Sequence, residues 1–124
     1  MVHTIFLLVG AGLTALWGIA HLFPTRSVVE GFGNISADNK RIIAMEWIVE
    51  GVALIFIGVL VSVVTLIDPS SAVSRAVYLT SSGGLVVLAV VSLFTGFQVK
   101  LFPFKLCPLI FTASAILIIW GGYL

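Results

Sequence analysis

Cysteine occurs once, at Cys107, so the chain can form no intrachain disulfide and no multi-cysteine metal or iron–sulfur site of its own. Charge is scarce too: six Lys or Arg and five Asp or Glu among 124 residues, 9% in all, give a formal net charge of +1. The bases fall at the ends of apolar runs without clustering, which argues against nucleic-acid binding. The two histidines, His3 and His21, stand at opposite ends of one apolar run, so no pair of embedded histidines is available to hold a haem. No Gly-x-Gly-x-x-Gly fingerprint marks a flavin or other dinucleotide site. Internal repeats and low-complexity segments are also missing. What the chain has in excess is apolar surface: 60% hydrophobic residues and a mean hydropathy of +1.26, far from the balance of a soluble domain. The length allows one domain, and the composition is that of an integral membrane protein.

Four apolar runs are long enough to cross a ~30 Å hydrocarbon core as helices, at about residues 4–23, 37–67, 72–97 and 106–123. The first ends at Pro24. It reads as a permanent span rather than a signal peptide, because Met1 to Thr4 carries no base and the run exceeds a typical signal core. Ser36 is placed to cap the second, with Asp38 in its first turn and Asp68-Pro69 at its end. The fourth is expected to start near Cys107-Pro108, with the proline in its first turn. The connection Pro24 to Ala37, with Gly31, Gly33 and Asn34, reads as a polar surface loop. An all-α, antiparallel four-helix membrane bundle is the expected fold. Arg26, Lys40, Arg41, Lys100 and Lys105 lie on one side and only Arg75 on the other, so the positive-inside rule puts both termini outside the cytoplasm. Trp120 and Tyr123 then anchor the outer interface, and Trp17 and Trp47 lie toward the inner one.

Inside the second run stand two acids, Glu46 and Glu50, one helical turn apart on the same face, about 6 Å along the axis. A carboxylate in hydrocarbon is expensive, so such residues usually face a protein interior or a wet cavity. The topology gathers further polar groups at the same level: His21 closing the first span, Ser92 and Thr95 closing the third, Thr112 opening the fourth. These point to a one-sided pocket in the cytoplasmic half. Glu50, Glu46 and His21 are its candidate acid–base groups, with Ser92, Thr95, Trp47 and Thr112 as ligand contacts. Plainer roles stand beside these. Glu46 can sit in the headgroup layer beside Lys40 or Arg41, His21 can be an interfacial hydrogen-bonding residue, and the hydroxyls can bond to their own helices. Cys107 reads as structural filler. His21, Glu46 and Glu50 show no metal-ligand spacing, and no metal is assigned.

Small residues carry packing information. Gly10, Thr14 and Gly18 recur every fourth position and give the first span a smooth face for close helix approach. Gly51 and Gly58 do the same in the second on a side away from the acids. Ser81-Ser82-Gly83-Gly84 sets a small patch midway along the third, for bundle packing, oligomer contact or ligand clearance.

Gly18…His21 closing one span, followed by Glu50-Gly51, Leu54 and Gly58 in the next, resembles the DoxX and DoxX-like group of small four-helix membrane proteins. The resemblance covers the first half of the chain. It implies a bacterial inner-membrane protein in membrane redox chemistry, often a subunit or accessory, with a quinone among its associated molecules. It matches Glu50 to the group's second-helix acid and His21 to the polar residue closing its first helix. Glu46 and the Cys107-Pro108 segment have no counterpart in that pattern. The expected function is binding of a quinone-like or other lipophilic ligand, or service as an accessory subunit or homo-oligomer. The cofactor is unassigned. A proton-coupled small transporter and an acid-catalysed lipid isomerase or cyclase are the alternatives.

Overall fold

The computed structural model describes residues 2–124. It is all helical, without strands among the described residues. In order come α1 (Val2–Leu22), α2 (Thr25–Gly31), α3 (Ala37–Ile67), α4 (Ala72–Thr95) and α5 (Phe102–Tyr123). All except α2 are long and apolar enough to cross a membrane.

Helix ends follow local chemistry. The Ser36 hydroxyl accepts the Asn39 N–H to cap α3, and Ser71 accepts the Ser74 N–H to cap α4. At the far end of α3, Asp68 is extended (φ −160°, ψ 98°), the conformation a following proline imposes. Two expectations fail. The Pro24 to Ala37 connection is not all loop, because Thr25–Gly31 forms a short helix with no buried residue. The Pro24 carbonyl accepts the Val28 N–H, Arg26 and Glu30 pair across one turn at 2.8 Å, and Gly33 (φ +74°) turns the chain away. The last helix starts at Phe102, ahead of the expected residue 106. Pro103 takes the first-turn position and Pro108 falls inside the helix. Lacking an N–H, Pro108 leaves the Phe104 carbonyl without its intrahelical donor.

α1 is the hub, packed along α3 on one side and α5 on the other, while α4 lies against α5 and meets α3 sparsely. Glycines set the approach. A Cβ on Gly18 would stand 2.7 Å from the Gly51 carbonyl oxygen, and one on Gly58 would stand 2.5 Å from that of Ala11. Gly10 instead faces α5, where a Cβ would meet Ile118 Cγ1 at 2.9 Å. Gly10, Thr14 and Gly18 therefore do not form a single smooth face. Each four-residue step advances 400°, so the stripe rotates by about 80° from Gly10 to Gly18 and serves two partners. Thr14, fully buried between them, donates its hydroxyl to the Gly10 carbonyl at 2.9 Å. Gly83 and Gly84 have open space where a Cβ would go, so within this chain they are not packing contacts.

Leu7, Leu54, Val61, Leu85, Phe111 and Ile118 form the core, and Tyr78 joins them with no exposed surface. The Tyr78 and Thr65 hydroxyls lie 3.0 Å apart, and Thr65 also contacts the Val61 carbonyl at 2.6 Å. This ties α3 to α4, and the Ser74 hydroxyl adds to it with the Val64 carbonyl of α3 at 3.2 Å and the Asp68 carbonyl of the connection at 2.6 Å. Tyr78→Phe leaves Thr65 its backbone acceptor and is expected to remove about 1 kcal/mol. A lower SDS midpoint in detergent-unfolding titrations, with the fold otherwise intact, would register it.

Candidate functional site

α1 ends with carbonyls that no longer have intrahelical donors. The Trp47 indole N–H of α3 supplies one, donating to the His21 carbonyl at 2.6 Å. That bond lays the Trp47 ring on the His21 imidazole, with centroids 3.9 Å apart and planes 16° from parallel. The imidazole is held with its Nε2 3.4 Å from the Glu50 Oε2. His21 is nearly enclosed (side chain 7% exposed), whereas Glu50 is 44% exposed. The distance is that of an ion pair, but Nε2 finds no partner of hydrogen-bond geometry, so the imidazole has unused capacity.

The pair stands on the wall of a cavity of about 720 Å³, within the range that suits a small ligand. α1, α3, α4 and α5 all contribute to it, where α3 and α4 part company. Most of the lining is apolar or aromatic: Trp17, Trp47, Leu88, Phe104 and Phe111, with Cys107 beside them. The Trp17 indole N–H, one turn before His21, is buried without a hydrogen-bond partner. A second cavity, of about 640 Å³, lies between α2 and α3. Trp47, Phe104 and Glu50 line both, so the aromatic pair (centroids 5.7 Å apart) divides the two chambers and Glu50 stands at the divide.

The seven candidates do not all meet. His21, Glu50, Trp47, Ser92 and Thr95 line the first chamber. Glu46 does not: it is exposed and lines only the second chamber, standing 40° round the helix from Glu50 on the side away from Trp47. Thr112 is exposed and lines neither, because it stands 100° round α5 from Phe111, which with Cys107 one turn away takes the inward face. Ser92 and Thr95 bond to their own helix, at the Ala89 carbonyl (3.1 Å) and the Val91 carbonyl (2.6 Å). They keep acceptor capacity only, the plainer of their two roles. Lys40 and Arg41 do not neutralise the acids. Arg41 pairs with Asp38 at 3.2 Å, and no Lys or Arg lines either chamber.

Sequence reasoning missed Trp17, Phe104 and the lining role of Cys107. Trp17 carried a usable signal, standing four residues before His21 and hence on its face. Phe104 carried none, because the expected helix start left it in a loop, and Cys107 fell inside the expected span but read only as structural filler. Among the described residues no three His, Cys, Asp or Glu side chains gather as a metal set.

Comparison with protein-family models, curated proteins and solved structures finds no match to this chain.

Proposed function

We propose that this chain is an integral membrane protein of the bacterial inner membrane that binds a quinone-like or other lipophilic ligand in the first chamber. It would act on its own, as a homo-oligomer, or as an accessory subunit in membrane redox metabolism. An antiparallel bundle is supported by the pairing order along the α1–α3 seam, where Gly18 meets Gly51 and Ala11 meets Gly58. The excess of bases beside the chambers favours a cytoplasmic position for that end and outside positions for both termini. α3 is about 46 Å long, roughly 16 Å more than the hydrocarbon core. If that surplus lies at its N-terminal end, Glu46 falls near the headgroup boundary and Glu50 just inside.

One observation carries the ligand reading: an enclosed imidazole with a free ring nitrogen, facing a carboxyl group, on the wall of an otherwise apolar chamber. Such a wall suits a molecule that is mostly hydrocarbon and has a hydrogen-bonding head. Glu50 would accept a hydrogen bond or relay a proton, and His21 would pass it on toward the cytoplasm. The resemblance to DoxX-like proteins adds the redox setting.

Trp17 and Trp47 line the chamber, so a bound benzoquinone should quench tryptophan fluorescence. Titrating the detergent-purified chain with a short-chain benzoquinone is expected to give saturable quenching, with Glu50→Gln weakening the affinity about tenfold. Mass spectrometry of organic extracts should find a lipophilic compound retained by the parent chain. Linear, unsaturable quenching, or identical curves for the parent, Glu50→Gln and His21→Ala, would remove this reading.

A further inference from the structure

The second chamber has no part in the function proposed above, and its chemistry differs from that of the first. Two carboxyl groups, Glu46 and Glu50, face it, and apart from Ser27 its remaining side chains are apolar or aromatic, Phe32, Trp47 and Phe104 with Val28 among them. No Lys or Arg lines it. Among the described residues Glu46 forms no ion pair, while Arg26 and Arg41 are engaged by Glu30 and Asp38. Lys105 lies over the Phe97 ring, 5.8 Å from its centroid. His21 lines the first chamber only, its buried Nε2 3.4 Å from the Glu50 oxygen without hydrogen-bond geometry, and takes no part in this lining.

We propose that the second chamber is a binding site for an organic ammonium or similar monovalent lipophilic cation. Aromatic faces attract such ions, and carboxylates in a partly desolvated setting reinforce the attraction. The apolar walls select a cation with a hydrocarbon body over a hydrated metal ion. A zwitterionic phospholipid head does not fit as well, because its phosphate would find no base in the lining. Glu50 is shared with the first chamber, so a cation here and a ligand there compete for, or jointly engage, one carboxyl group. Glu46 belongs to the second chamber only and is the residue that sets its charge preference.

Tetraphenylphosphonium and tetraphenylborate share a shape and differ in sign, which makes them the probes. Calorimetric titration of the full chain in neutral detergent, corrected against protein-free micelles, is expected to show phosphonium binding at least about tenfold tighter than borate. Glu46→Gln should weaken the phosphonium by roughly tenfold while helicity and elution profile stay those of the parent. Excess short-chain phosphatidylcholine is expected not to displace the probe. Equal affinity for the two ions, an unchanged Glu46→Gln titration, or displacement by the phospholipid would each overturn the proposal. The benzoquinone titration is scored separately. If it fails while the cation still binds in a Glu46-dependent way, only the first-chamber function is lost.

Discussion

Gly58→Val is expected to abolish the folded chain, with little monodisperse protein recovered and early unfolding in SDS titrations of what remains. A first side-chain carbon there would lie 2.5 Å from the Ala11 carbonyl oxygen and 2.7 Å from the Ala15 Cβ. Both belong to the α1 backbone or its shortest side chain, so nothing flexible can yield. The helices must separate, and the loss spreads along the seam to Gly18 and Gly51. Overpacking typically costs about 1–3 kcal/mol, and the rigid neighbours put this site at or beyond the upper end. Gly83→Val serves as the comparison, since open space surrounds that position. Its effect should stay within about 0.5 kcal/mol. Similar behaviour of the two variants would show that the α1–α3 seam does not govern stability.

Trp47→Leu is expected to produce the largest functional loss. One side chain there caps the α1 terminus, stacks on His21 and divides the chambers with Phe104. Removing the indole bond sacrifices about 1 kcal/mol and the stacking about 0.5–1.5 kcal/mol more. The greater consequence is geometric, because His21 is freed from its place opposite Glu50 and the two chambers merge. Benzoquinone affinity should fall more than about tenfold, read by quenching of Trp17. Trp47→Phe keeps a ring on the imidazole but loses the N–H, and should fall between the parent and Trp47→Leu. If Trp47→Phe is as damaged as Trp47→Leu, the hydrogen bond dominates. If neither changes affinity, the stacked pair has no role in the ligand site.

Much of this molecule follows from short-range rules. Composition and run length supply the four long helices, because backbone groups in an apolar run bond within the segment. Ser36, Ser71 and the Asp68-Pro69 step set three helix ends by local capping and sterics alone. The four-residue spacing of Glu46 and Glu50 and the small residues of α1 and α3 were equally visible. Two prolines in one segment hid the start of α5: either Pro103 or Pro108 suits a first turn, and choosing between them takes knowledge of what Phe104 and Cys107 pack against. α2 was hidden for a related reason, since seven residues with two glycines nearby carry little helical signal.

Packing alone decided what the polar residues do. A helical wheel puts Glu46 and Glu50 on one face, yet the 40° between them is enough that Glu50 borders both chambers and Glu46 only the second. The pairing of Trp47 with His21 spans 26 residues of chain and depends on how closely α1 and α3 approach. The chambers exist because α4 leans on α5 and parts from α3 at that end, a tilt no local pattern encodes. The chain's own chemistry thus dictates which segments are helical and which residues are costly to bury. Where those residues meet, and whether a void lies beside them, depends on the angles between helices, which are set by side chains distant in sequence.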